Sequence, residues 1–325
     1  MRPQLIFALI FAGLIGLSLV TGKIDPYYYT VIIFIGINIT MATSLNLING
    51  FTGQFSLGHA GFMGVGAYVS AIVSTYLTTH GLGTEVMGGV PVMAIALLVG
   101  GLAAALTGLA VGIPSLRLKG DYLAIVTLGF NEIIRVIIQN VDFKIDGISY
   151  VGGARGFAVP QLSSFLWVFG IALVAIYFVE NLINSTYGRG FLAVRDDEVA
   201  AEAMGVHTTR FKVRAFVIGS FFAGIGGGLF AHFIQYITPD NFTFLKSIEI
   251  VVMVILGGMG STYGVILAAI LLTIMPEALR EFSEYRMIIY SLMLIVLMIA
   301  RPQGLFGTET FTRFFAKRKA AANKV

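Results

Sequence analysis

The sequence predicts an all-α integral membrane protein, a polytopic helical bundle of about 9–10 membrane segments, some of them short or broken. Three observations predict it. The 325 residues are 57% hydrophobic and 12% charged, against about 25% charged in soluble domains. From Tyr29 to Pro114 the only formally charged side chain is Glu85, and a soluble core of that length would leave its surface nothing polar to show water. The apolar runs are about 17–25 residues long, enough to cross hydrocarbon as helices, and they alternate too poorly for barrel strands.

The run after Arg2 leads into further spans rather than into a small-x-small cleavage signal and a polar domain, so it reads as a first helix at 5–21. Apolar runs bounded by turn residues then predict helices at 29–48, 58–77, 90–112, 120–140, 163–182 and 211–234. A long run, 248–275, and a short one, 287–300, complete the set. Residues 1–310 are expected to form one transmembrane domain with a cytoplasmic loop at 183–214, and 311–325 a basic cytoplasmic tail. With no cysteine, neither a disulfide nor a thiolate metal site is available. A net charge of +4 is no signal for nucleic acid, and none is expected as a partner.

Lys and Arg in short loops favour the cytoplasm. The 183–214 loop carries Arg189, Arg195, Arg210, Lys212 and Arg214, the tail carries Arg313, Lys317, Arg318, Lys319 and Lys324, and a short turn carries Arg117 and Lys119. Both termini and these loops are therefore expected inside. A single crossing over 248–275 would put the tail outside. The run contains Gly257-Gly258-Met259-Gly260-Ser261, so two short spans meeting there are expected, with the chain back outside at Pro276. Broken backbone at that depth needs protein or a polar cavity around it.

The stretch from Asn46 to Ser70 is rich in small and weakly polar residues and has no charge. Gly61, Gly64 and Gly66 are expected near one helical face, since close backbone approach supplies much of the packing between helices in lipid. Asn46, Asn49, Thr52, Gln54, Ser56 and His59 then need partners. These residues, with Gly257, Gly258 and Gly260, are candidates either for tight packing or for lining a translocation path. No second His or acid stands at ligand spacing from His59, so no metal is expected. His232 reads as a helix–helix hydrogen-bond donor. Glu132 and Arg135, three apart, are expected to form an intramembrane ion pair facing the bundle or another subunit.

The 183–214 loop reads as an amphipathic helix. Phe191, Leu192, Val194, Val199, Ala203, Met204 and Val206 would occupy one side, and Arg195, Asp196, Asp197, Glu198 and Glu202 the other. It is the polar element large enough to receive a soluble protein. No catalytic set and no nucleotide-binding motif stands out. Intramembrane acids for ion coupling are nearly missing, so the chain needs a borrowed motor or provides a passive path. A stand-alone channel or ion-coupled carrier is the rival class.

NLINGFTGQFSLGHAGFMGVGAY (Asn46 to Tyr68), LRLKGDYLAIVTLGFNEIIR (Leu116 to Arg135), AVRDDEVAAEAMGV (Ala193 to Val206) and ILGGMGSTYGVILAA (Ile255 to Ala269) resemble the permease subunits of bacterial branched-chain amino acid ABC importers. The resemblance runs from about Asn38 to Gly304 and is strongest to the longer of two homologous permeases. It implies a type II ABC importer permease fold in the cytoplasmic (inner) membrane. It also implies a second permease, two cytoplasmic ATP-binding subunits that use ATP and Mg, and an extracytoplasmic amino-acid-binding protein, with no cofactor on this chain. Arg195, Asp196, Asp197, Glu198, Ala200, Ala201, Glu202 and Gly205 fall in the segment that would dock on an ATPase. Ala200, Ala201 and Gly205 fit the wider pattern, whereas Val199 stands where that pattern has glutamate. The same blocks occur in importers of urea and short amides. Few charged groups would be available to hold a zwitterion in the path, so selection is expected on the binding protein.

Overall fold

The computed structural model describes residues 24–80, 89–115, 120–145, 148–282, 285–300 and Gly304, with scattered positions between 13 and 18. Most of the helix expected at 5–21, together with Glu85, Arg117, Lys119 and the basic tail, lies outside the described residues.

Helix α1 (Pro26–Asn46) starts with proline in its first turn, and the Asp25 carboxylate accepts from the Tyr27 N–H at 2.8 Å. It runs into a π-turn, Leu47–Phe51, giving 26 helical residues and about 39 Å of length. An extended segment then leads back to α2 (His59–Thr79), followed by α3 (Val90–Ser115) and α4 (Asp121–Asn140). Helix α5 (Phe165–Asn184) precedes two short helices, α6 (Gly188–Asp196) and α7 (Glu198–Ala203), and then α8 (Thr208–Ile234). The last three are α9 (Phe244–Gly257), α10 (Thr262–Ala278) and α11 (Arg286–Ala300).

The bundle closes around α2, α3 and α8. In lipid no hydrophobic force drives helices together, so contact depends on how closely backbones approach. A Cβ on Gly66 would collide with the backbone of Gly224, and one on Gly227 with the Met63 carbonyl. A Cβ on Gly100 would stand 2.7 Å from the Gly66 carbonyl oxygen. On its far side α8 meets α1, where Gly226 faces Met41 and Gly219 faces Ile48. The glycine run of α8 is thus consumed by packing on three neighbours.

Gly61, Gly64 and Gly66 do not share a face. Gly61 meets Asn131 of α4, Gly64 meets the Phe242 ring, and Gly66 meets α8. At about 100° per residue, Gly66 lies about 140° round the helix from Gly61, so one face cannot hold both.

The run expected at 248–275 is broken as anticipated. Gly258 (φ 95°) and Gly260 (φ 83°) adopt conformations that side chains oppose, and Ser261 caps α10 by accepting from the Gly264 N–H at 3.2 Å. The 14 residues of α9 reach about 21 Å, short of a hydrocarbon layer of about 30 Å. Helices α9 and α10 fold back on each other, with Gly257 against Gly264 and Val265, and Gly304 returns under Gly258. The irregular backbone is therefore covered by protein.

Two features were not anticipated. The α4–α5 connection carries an antiparallel hairpin, β1 (Asp142–Ile145) with β2 (Ile148–Gly152), and β3 (Phe157–Ala158) pairs with β4 (Tyr236–Ile237) after α8. Residues 235–247, which join α8 to α9, fold inward: the 3₁₀ turn Pro239–Phe242 buries Phe242 against Gly64, Tyr68 and Phe230. Helix α9 accordingly begins against the bundle, and the Ser247 hydroxyl accepts from the Ala60 N–H at 2.8 Å.

Candidate functional site

Helix α6 is fixed by aromatic packing. Phe191 is fully buried, its ring centroid 5.3 Å from that of Phe211, and Tyr187 tilts against Phe211 at 4.8 Å. The Arg214 guanidinium lies 5.2 Å from the centre of the Tyr187 ring, a cation–π contact. A satellite core of Leu47, Phe51, Val179, Ile183 and Ala215 surrounds Phe191, so the loop is seated on α1, α5 and α8.

The chain then breaks. Asp197 is extended (φ −158°, ψ 111°), and its carboxylate accepts from the N–H groups of Val199 and Ala200 at 2.9 and 3.0 Å, capping α7. One continuous amphipathic helix was expected, but two helices meet at an elbow. The apolar side divides as a result: Phe191 and Val194 are buried, whereas Val199 and Met204 are 70% and 84% exposed.

Helix α7 ends in a Schellman pair. The Gly205 N–H donates to the Glu202 carbonyl at 2.9 Å and the Val206 N–H to the Ala201 carbonyl at 3.0 Å. Gly205 sits at φ 85° with nothing within 4 Å of an added Cβ, so its conformation and not crowding demands glycine. Glu198 pairs with the buried Lys212 ammonium at 2.6 Å, and Glu202 accepts from the Thr208 hydroxyl at 2.6 Å. These two carboxylates, expected on a solvent face, lash α7 to α8. Ala201 is buried, while Ala200 is exposed beside Val199. Two open clefts of about 530 and 670 Å³ flank the elbow and share Gly205, Val206, His207 and Arg210.

Arg195 connects this elbow to the rest of the predicted set. Its guanidinium pairs with Asp196 at 3.0 Å. A Cβ on Gly53 (φ 69°) would lie 3.1 Å from its Cγ, and one on Gly260 would lie 2.9 Å from its Nη1. The Gly260 N–H in turn donates to Asn46 Oδ1 at 2.9 Å. Asn49 exchanges hydrogen bonds with the Ser56 backbone at 3.2 and 3.4 Å, and Gln54 Nε2 donates to the Lys212 carbonyl at 3.5 Å. The Ser56 hydroxyl accepts from the Gly58 N–H at 3.4 Å, and His59 Nε2 lies 2.8 Å from Ser44 Oγ. All five polar residues are buried. Segments 46–59, 195–205 and 257–261 therefore meet at one end of the bundle, each polar residue serving a backbone or side-chain partner there.

Elsewhere, Arg135 Nε donates to Glu132 at 2.8 Å, and Arg135 Nη1 reaches Asp240 of the inward turn at 3.4 Å. Sequence spacing found Glu132 and Arg135 but missed Asp240, since no local rule links positions 105 apart. Lys212 and Gly53 were also missed as site residues. Among the described residues, no three His, Asp or Glu side chains are grouped to hold a metal ion.

Residues 27–300 match the family described as the branched-chain amino acid transport system permease component. The chain belongs to that family. This permease is 36% identical over 313 residues to the high-affinity branched-chain amino acid transport system permease protein LivM of Salmonella typhimurium, covering 87% of this chain and 70% of that one. It is 37% identical to LivM of Escherichia coli K12 over 298 residues, with 83% and 67% covered. It is also 24% identical over 290 residues to LivH of the same strain, with 82% and 90% covered. No solved structure matches the chain. As a permease component it is a multi-pass transport subunit and not an enzyme.

Proposed function

We propose that this permease forms one side of the translocation path of an ATP-driven importer of leucine, isoleucine and valine in a bacterial cytoplasmic membrane. Its similarity to both LivM and LivH supports a second, homologous permease as partner. Two cytoplasmic ATP-binding subunits would use ATP and Mg, and an extracytoplasmic binding protein would deliver substrate. The basic elbow faces the cytoplasm in this reading, as do both termini.

One observation carries the proposal. The elbow holds Val199 and Met204 out beside two clefts while its other side is anchored to α1, α8 and the α9–α10 break. Exposed apolar side chains on a short capped helix, with exposed Asp196 and Asp197 before it and Arg210 lining both clefts, suit a soluble protein partner. Closure of two ATPase subunits would push α7, and the Lys212 pair and Arg195 would pass that push to α8 and to the break.

With no native cysteine, an Asp196→Cys variant tests orientation: an impermeant maleimide should label it in inside-out vesicles and leave it unlabelled in intact cells. Labelling from outside would end the proposal. In the reconstituted complex, Gly205→Leu should insert normally yet cut binding-protein-stimulated ATP hydrolysis by roughly tenfold, the scale of one interface hot spot. Normal stimulation would remove α7 from the docking surface.

A further inference from the structure

Charge is distributed unevenly through the spans. Helices α1, α2 and α3 carry no charged side chain, and α5, α8, α10 and α11 carry theirs within two turns of an end. Glu132 and Arg135 of α4, Asp240 of the inward turn, and Lys246 and Glu249 of α9 belong to elements that pack on one another. Arg135 is the fifteenth residue of α4, about 21 Å along it, and the turn bearing Asp240 packs beside Gly64 and Tyr68 inside α2. Tyr68 stands about midway along α2, a helix long and apolar enough to cross a membrane, so the charges lie at the depth of that span.

They are also open to the outside of the chain. Side-chain exposure is 31% for Glu132, 23% for Arg135 and 75% for Asp240. An ionised group facing acyl chains at that depth costs about 2.5–3.5 kcal/mol even on insertion scales, and such residues otherwise mark substrate pathways. The surface therefore faces water or a protein partner and not acyl chains.

We propose that Glu132, Arg135 and Asp240 form a transit site for the zwitterionic backbone of an α-amino acid. The site deepens the import reading above and rests on it. Arg135 supplies the planar fork that grips a carboxylate. Its 3.4 Å contact with Asp240 is the longer of its two, so an arriving carboxylate replaces that contact and leaves Asp240 and Glu132 for the ammonium group. Asn131, buried, donates to Glu132 Oε1 at 3.4 Å and orients it. Tyr68, 4% exposed, packs on Phe242, and its hydroxyl has no hydrogen-bond partner among the described residues. Val136, 47% exposed, stands one turn from Glu132 on the same side of α4, and gives an apolar side chain a surface to pass over. Discontinuous helices next to a site within the layer serve other transporters in the same way. On this view the path does hold zwitterions, contrary to the expectation from charge counting.

In the full complex in proteoliposomes, Glu132→Gln and Arg135→Gln should each lower leucine uptake per complex by about tenfold or more, with the second permease still co-purifying. The swap Glu132→Arg with Arg135→Glu keeps the ion pair but reverses its order along the path, and should not restore uptake. A restored rate would make the pair structural, and loss of the second permease from the neutral variants would make it a subunit contact; either result overturns the proposal. Gly129 has open space around it one turn from Glu132. Gly129→Cys should react with a charged methanethiosulfonate, and saturating leucine with binding protein should slow that reaction. A thiol that does not react lies in lipid and sinks the site. Labelling requires no import, so its failure is distinct from failure of the import reading.

Discussion

A valine at Gly66 is expected to abolish recovery of folded, detergent-stable protein. The added side chain would meet the Gly224 backbone, and α8 has no flexible group there to yield. Overpacking a core costs about 1–3 kcal/mol where side chains give way, and more where two backbones must part. Separating α2 from α8 would also strand Gly100, which closes on the Gly66 carbonyl from α3. Size-exclusion profiles and thermal midpoints in detergent read the effect, with Gly129→Ala, at an open position, expected to match wild type. A wild-type midpoint for Gly66→Val would mean that the three helices do not meet as described.

Lys212→Ala should produce the second large effect, on both stability and coupling. The Lys212 side chain is 9% exposed and its partner Glu198 is 25% exposed. Removing one member of a buried pair costs about 3–5 kcal/mol when the other stays buried; Glu198 regains some water, so the lower end applies. Freed from α8, α7 would move without pulling the bundle, and substrate-stimulated ATP hydrolysis would no longer drive uptake. The double variant Glu198→Gln/Lys212→Met should recover the thermal midpoint, because no charge is then left unpaired, but not the coupling. If the single variant keeps both its midpoint and its uptake, the pair does not hold the elbow.

Long-period features were legible in the sequence. The spans follow from apolar length, and the α9–α10 break follows from charge bias together with Gly257-Gly258-Met259-Gly260-Ser261, where two glycines adopt positive φ. The elbow was placed correctly but misread as one helix, because its apolar residues were fitted to a single period. Asp197 before Glu198-Val-Ala-Ala was an available capping signal. It assigns Val199 to a second helix, and hence to solvent. Gly61, Gly64 and Gly66 were grouped by nearness in sequence when helical angle separates them. Asp240 and the β3–β4 pair were out of reach, since each depends on residues brought together only by the finished bundle.

The bond from Gly260 to Asn46 spans 214 positions, and that distance orders the protein's birth. Asn46 enters the bilayer with the first-made helices, yet its oxygen waits for a donor that the ribosome delivers after four-fifths of the chain. Until then the oxygen of the buried Asn46 amide lacks that donor, and Gly304, later still, has not yet come beneath Gly258. Closure of this end of the bundle therefore waits on the last helices, and a chain stopped before Gly260 would leave the Asn46 oxygen without its donor.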